Sequence, residues 1–210
     1  MKQLQELIGM ETTSSDSVLA EDTAQATTMR NIGLLLLRVT VGALLAGHGA
    51  QKLFGWFGGY GLKGTAGWLE SMGLKPGHLW ATGASASEFG GGTLTALGLF
   101  HPIGPIATLA AMSMAIAKAH WGKPIWVSEG GAELPVTNIA VALALILNGP
   151  GPYSLDHVFG IRLPRAVIAL VAVAEAVLIV LGIVARPTPP PAAQNHAGAE
   201  LEGGKGAETF

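Results

Sequence analysis

The sequence contains no cysteine and few charged residues. Without cysteine the chain cannot form a disulfide, run thiol exchange or bind a metal through thiolates, so redox chemistry here would need a bound cofactor or a partner. Only 12% of the 210 residues are charged, well below the share that soluble domains carry. The net charge of -2, with no basic stripe, argues against a nucleic-acid partner.

Half of the residues are hydrophobic, and they are concentrated in five stretches separated by polar or Gly- and Pro-rich turns. A membrane-spanning helix needs about 20 mostly apolar residues, because its backbone polar groups must be satisfied inside the segment. We therefore predict five spans, at residues 31–53, 79–100, 103–119, 134–147 and 166–185. The alternative is a soluble protein with buried helices, which five apolar stretches and so few charges disfavour.

The predicted fold is all-α, an integral membrane four-helix bundle with an additional C-terminal transmembrane helix. We expect four parts: a polar, loosely ordered N-terminal extension (1–28) with a short helix near residues 4–10, a four-helix membrane domain (29–157), a fifth hydrophobic helix (162–186) and a disordered tail (187–210). Small residues such as Gly42 and those of the 90–92 run favour close helix packing. The second helix is polar enough that we place it inside the bundle.

Three ionisable residues fall inside the predicted spans: Arg38, Glu88 and Glu175. Charges at membrane depth are costly, so each is a functional candidate. Counting the rise along the helices predicts an Arg38–Glu88 ion pair, with Glu175 as a rival partner for Arg38. The alternative role for such a pair is structural, holding two helices in register.

A second group of polar residues is expected at one membrane face, called side B, which holds the 54–77 loop, the 121–133 loop and the C-terminal tail. Its members are His48, Gln51, Lys52, Lys118, His120, Trp121, Glu133, Thr137 and Asn138. Together they could bind an anion, a quinone headgroup or a polar metabolite, and the histidines could relay protons. The alternatives are lysines that extend to lipid headgroups and histidines with ordinary interfacial partners.

Bound metal and haem are not favoured by the sequence. A haem would require His48 and His120 to face each other across neighbouring helices. No carboxylate–histidine helical pair typical of a zinc or di-iron site occurs.

Lysines near the spans are more frequent at side B than on the opposite face, side A, which predicts that side B is cytoplasmic.

Several motifs resemble the DoxX family of small bacterial membrane proteins. They are LLRV at 36–39, GHGAQKLFG at 47–55, GTAGWLESMGL at 64–74, EFGG at 88–91 and GPGPYSLD at 149–156, and the resemblance covers about residues 34–157. Its matching core positions are Arg38, His48, Gln51, Lys52 and Glu88. At the closing turn they are Tyr153 and Asp156.

The resemblance implies a four-helix core in the bacterial cytoplasmic membrane and a role as a subunit of a quinone-linked oxidoreductase system. Its partners would be lipid and either other redox subunits or further copies of the chain. Two other functions remain open, a scaffold for soluble redox partners and a small-molecule transporter. The chain departs from the family by its fifth helix and its two tails, and Glu133 is the only match to an acidic, aromatic-rich motif of many relatives.

Overall fold

The computed structural model describes the backbone of residues 2–185 and the side chains of residues 19–185. The predicted disordered tail lies outside the described residues. Seven α-helices occur in this range: α1 (Lys2–Phe54), α2 (Gly61–Ser71), α3 (Gly77–Leu97), α4 (Ile103–Ala115), α5 (Glu133–Asn148), α6 (Leu155–Phe159) and α7 (Arg165–Val184). A π-helical turn, Ile116–His120, extends α4. The described residues form no strand, which confirms the all-α class.

Helix α1 is much longer than the first predicted span. It begins at Lys2 and continues without a break to Phe54, so the prediction of a loosely ordered extension with only a short helix is wrong. Residues 1–54 contain no proline to stop the helix. Thr23, Thr27 and Thr28 each donate to the carbonyl four residues earlier, so these hydroxyls find their partners within the helix.

Two glycines allow α1 and α3 to pack backbone to backbone. A Cβ atom at Gly42 would collide with the backbone of Gly92 and Ala96, and one at Gly92 would collide with the backbone of Gly42 and Ala46. These contacts agree with the predicted role of the small residues in close helix packing. Gly90, by contrast, faces open space, so the run 90–92 contributes only partly to this contact.

Helix α3 is the centre of the molecule. It packs against α1, α2 and α4, while α5 packs against both α4 and α1. Its buried residues include Ala81, Ser85 and Thr95. This arrangement confirms that the second long apolar segment is an inner helix.

Two helices are long and apolar enough to cross a membrane by length and composition: the 36 residues Leu19–Phe54 of α1, and α7. Helix α5 is apolar but shorter. Helix α7 lies at the outside, packed mainly on α4, and nearly all of its surface is apolar and exposed. An exposed surface of this kind is suited to lipid rather than to water.

Candidate functional site

The register of α1 against α3 decides which charges meet. Gly42 lies beside Ala96 and Gly49 beside Phe89, so Glu88 is level with the last turns of α1. The prediction from helix rise placed Glu88 level with Ala43, about seven residues or ~10 Å too close to the start of α1. The error arises because α3 extends beyond the end of α1, where its first turns pack on α2 instead.

Glu88 consequently pairs with Lys52, and the predicted Arg38–Glu88 pair is wrong. The Lys52 ammonium donates to Glu88 Oε1. Among residues 19–185, whose side chains the structure describes, this is the one ion pair. The Glu88 side chain is 5% exposed and that of Lys52 is 30% exposed, so the carboxylate is the deeper partner.

The second carboxylate oxygen of Glu88 has no partner. Within residues 19–185, Glu88 Oε2 and Ser85 Oγ are the buried side-chain atoms that make no hydrogen bond. A buried carboxylate oxygen without a partner costs free energy, and native proteins keep few such atoms. An oxygen of this kind is therefore a candidate contact for a ligand.

The ion pair lies in the wall of an apolar cavity of about 400 Å³. This volume lies within the range of small-molecule sites, which combine apolar walls with a few polar groups. The apolar wall comes from α2, α3, α4 and α7. Its larger side chains are Trp68, Leu69, Met72, Leu74, Leu79, Trp80, Met114, Leu178 and Ile179.

The rim of the cavity is apolar and exposed. Leu79 is 61% exposed, and Trp68 and Leu178 are each 49% exposed. In a protein surrounded by lipid, a rim of this composition meets hydrocarbon and the adjoining interface rather than bulk water.

Two further charged side chains line the same cavity, Lys118 and Glu175. Lys118 Nζ donates to the carbonyl of Ala185 at the end of α7, at 2.5 Å. Glu175 is half-buried in the middle of α7. The prediction that Glu175 competes for Arg38 is wrong, since Glu175 belongs to the cavity and Arg38 does not.

Arg38 lies toward side A, and all three of its guanidinium nitrogens donate hydrogen bonds to the protein. Its Nε, Nη1 and Nη2 atoms donate to the carbonyls of Ala96, Pro150 and Tyr153, at 3.2, 2.5 and 2.5 Å. The side chain is 3% exposed. Arg38 therefore ties the end of α3 to the 149–156 turn, a structural role.

Asp156 completes this connection. Its Oδ1 and Oδ2 atoms accept from the backbone amides of Phe100 and His101, at 2.8 and 2.7 Å, and its own amide donates to Gly98. The carboxylate also interacts electrostatically with Arg38. The gap beside Arg38 is only about 10 Å³, roughly the space of one water. Tyr153 contributes its carbonyl here, while its side chain is exposed.

His101 lies in the turn between α3 and α4, next to this network. Burial lowers its pKa, while Asp156 and a hydrogen bond with the Ile146 backbone act in the opposite direction. Arg38 adds to the lowering. The neutral imidazole is thus the form that the fold prefers.

The predicted side B group does not converge on one site. His48 and Gln51 bond each other at 3.1 Å, and Gln51 also bonds the Phe57 carbonyl. His120 bonds the Gly130 carbonyl at 2.6 Å within its own loop. Of the group, only Lys52 and Lys118 line the cavity.

The remaining members hold the region before α5. Glu133 Oε2 accepts from the amide of Val127, and Thr137 bonds the Glu133 carbonyl. Asn138 donates to the sulfur of Met112 at 3.6 Å, a link between α5 and α4. Trp121 is largely exposed. These contacts order a loop and a helix start, away from Glu88.

The sequence reasoning missed several cavity residues, Trp80, Ser87 and Met114 among them. Trp80 lies two turns before Glu88 on α3, a spacing that places both on one side of the helix. That spacing could have suggested an aromatic wall beside the charge. Met114 gives no comparable signal.

A small all-helical membrane protein is the class that these helices and this cavity define. Residues 33–121 match the model of the DoxX family, a segment that contains Arg38, Lys52, Glu88 and Lys118. Through that segment the chain is similar to the DoxX family. No curated protein and no solved structure matches the chain significantly.

Proposed function

We propose that the chain is a multi-pass protein of the bacterial cytoplasmic membrane and the quinone-binding subunit of an oxidoreductase system. In this proposal α1, α3, α4 and α5 form a four-helix bundle, and α7 crosses the membrane beside it. One observation carries the proposal: an apolar cavity of about 400 Å³ whose wall holds Glu88 with an unpartnered Oε2 atom.

The chemistry of the cavity suits a quinone. The apolar wall accommodates a ring and the start of an isoprenoid tail, and the apolar rim admits such a molecule from the lipid. Lys52 can donate a hydrogen bond to a quinone oxygen, and Glu88 Oε2 can accept one from a quinol hydroxyl. The cavity therefore offers a polar contact to both redox forms.

Reduction of a quinone to a quinol consumes two electrons and two protons. In the proposed system a partner subunit that carries a redox cofactor supplies the two electrons. The protons reach the ring oxygens through ionisable groups of the cavity, of which Glu88 and Lys52 are the innermost pair. The chain itself binds and orients the ring and delivers protons.

Tryptophan fluorescence provides a direct test, since Trp68 and Trp80 line the cavity and quinones quench indole emission. The purified chain in lipid nanodiscs is titrated with a short-chain benzoquinone. We expect saturable quenching in the wild type, reversed by the matching hydroquinone. Displacement should need about tenfold more hydroquinone in Glu88→Gln, because an amide oxygen is a weaker acceptor than a carboxylate for the quinol hydroxyl. Glu129→Gln, in the exposed 127–129 turn, serves as the matched control and should behave as wild type.

Quenching that rises linearly without saturation, equally in the wild type and Glu88→Gln, would show that the quinone only partitions into the lipid. That result would remove the proposed binding site. A smaller saturable component in Trp80→Phe, with the remainder coming from Trp68, would support it, because it would assign the signal to the cavity.

A further inference from the structure

Helix α7 brings a charge to the cavity from outside the family segment. The match to the DoxX family ends at residue 121, whereas α7 spans Arg165–Val184. Past its first residue, α7 contains one ionisable side chain, Glu175, among 18 apolar or glycine residues. A lone carboxylate in such a helix is costly at membrane depth and marks a functional position.

Glu175 has no simple structural explanation. It lies about ten residues, or ~15 Å, from each end of α7, too far for its short side chain to reach a membrane surface. Among the residues with described side chains it belongs to no ion pair. Lys118, a cation that also lines the cavity, instead donates to the Ala185 carbonyl.

The position of α7 is fixed at its C-terminal end. Lys118 bonds the carbonyl of Ala185, and Gly182 packs against Met114 and within reach of Trp80. A Cβ atom at Gly182 would collide with the Met114 side chain. These contacts hold the Glu175 face of α7 toward the cavity, whose lining also includes Glu88 on α3.

We propose that Glu175 is a specificity-determining residue that contacts the second polar end of the ligand bound at Glu88. The cavity would then select apolar rings with hydrogen-bonding oxygens at both ends, as in a para-quinol, over rings with one such oxygen. An ionised Glu175 accepts a hydrogen bond from a quinol hydroxyl, and a protonated Glu175 donates one to a quinone oxygen. The inference rests on the proposed quinone site and adds its second contact.

Competition binding tests this contact separately from the site itself. A short-chain para-hydroquinone and the matching phenol, which has the same tail and lacks the second oxygen, each displace the benzoquinone from the protein in nanodiscs. Recovery of tryptophan fluorescence reports the displacement. We expect the wild type to bind the hydroquinone about tenfold more tightly than the phenol, because the hydroquinone makes one more hydrogen bond to a charged group.

The variants assign the preference to Glu175. Glu175→Leu should bind the phenol as the wild type does and reduce the preference for the hydroquinone to about twofold or less. Glu175→Gln keeps a hydrogen-bonding group of the same shape and should retain part of the preference. Both variants are expected to unfold at the wild-type temperature, because this residue makes no ion pair with the described side chains.

The outcomes separate the two proposals. A wild type that binds the benzoquinone but shows the same preference as Glu175→Leu would overturn the role of Glu175 and leave the quinone site standing. A wild type that does not bind the benzoquinone would overturn both.

Discussion

The helical core has two polar regions, and they differ in how far their hydrogen bonds are satisfied. Toward side A, Arg38 and Asp156 bond three carbonyls and two amides around a gap of about 10 Å³. Toward side B, Glu88 leaves an oxygen free in the wall of a cavity of about 400 Å³. Both regions bury charge, so burial alone does not distinguish a structural charge from a functional one.

The two kinds of charge are distinguished by how many of their hydrogen bonds the protein itself satisfies. A charge whose hydrogen bonds all go to the protein has nothing left to offer a ligand, and its removal leaves several backbone groups unpaired. A charge with a free oxygen beside empty space can bind a ligand, and its removal leaves the fold nearly unchanged. Variants toward side A should therefore change stability, and variants in the cavity should change binding.

The largest effect is expected for Arg38→Leu. The substitution leaves the carbonyls of Ala96, Pro150 and Tyr153 without their donor. We expect a loss of about 3–5 kcal/mol in the free energy of unfolding, the usual cost of breaking a buried charged network. Thermal unfolding in detergent measures it, with the exposed Arg30→Leu as control. Equal unfolding temperatures for the two variants would refute the structural role of Arg38.

Asp156→Asn should have the next largest effect on stability. The amide keeps one acceptor oxygen, so one of the bonds from Phe100 and His101 is lost together with the charge near Arg38. We expect a loss of about 2 kcal/mol by the same measurement. Asp22→Asn, in the exposed part of α1, is the matched control. A wild-type unfolding temperature would show that the turn does not depend on this carboxylate.

Glu88→Gln should weaken ligand binding and leave stability nearly unchanged, the opposite of the two variants toward side A. It is isosteric and leaves Lys52 partly exposed, so we expect the free energy of unfolding to change by less than about 1 kcal/mol while hydroquinone binding weakens as described above. Unfolding and quenching measured on the same sample provide the check. A destabilisation as large as that of Arg38→Leu would remove the distinction between the two regions.

The smallest effect concerns pH and His101. Burial lowers the pKa of this residue in the folded state. As the pH falls through about 6.5, the unfolded chain therefore binds more protons than the folded chain does. Stability is therefore lost on going from pH 7.5 to pH 5.5, and the loss stops below the folded-state pKa. His101→Gln should flatten this part of the stability profile, while His78→Gln, at an exposed position on α3, should not. A profile unchanged by His101→Gln would assign the loss to other groups.

Much of the fold could be predicted from the sequence because helix formation leaves local signals. Apolar length, proline starts and glycine stops place α3 to α5 and α7 within a few residues, and the small residues identify the α1–α3 contact. The α1 extension departs from the prediction because polar composition favours a loosely ordered segment, whereas residues 2–28 contain no proline that would stop the helix.

The partners of the charges could not be predicted in the same way. The Glu88 partner depends on a shift of about two turns between α1 and α3, which follows from how α2 folds back onto α3. The Arg38 partners are backbone carbonyls, and any residue type supplies a carbonyl, so the sequence contains no sign of them. The sequence therefore identifies the buried charged residues but does not identify the hydrogen-bond network to which each of them belongs.

A photoreactive hydroquinone tests the central distinction most directly. Native membranes containing the chain are labelled with it under reducing conditions, and the adducts are mapped by mass spectrometry with and without excess unlabelled hydroquinone. We predict adducts on cavity residues of α3 and α4, such as Trp80 and Met114, that disappear with competitor and are much weaker in Glu88→Gln. Adducts spread over the outer face of α7, at Leu170 and Val173, and unaffected by competitor or by Glu88→Gln, would contradict the account.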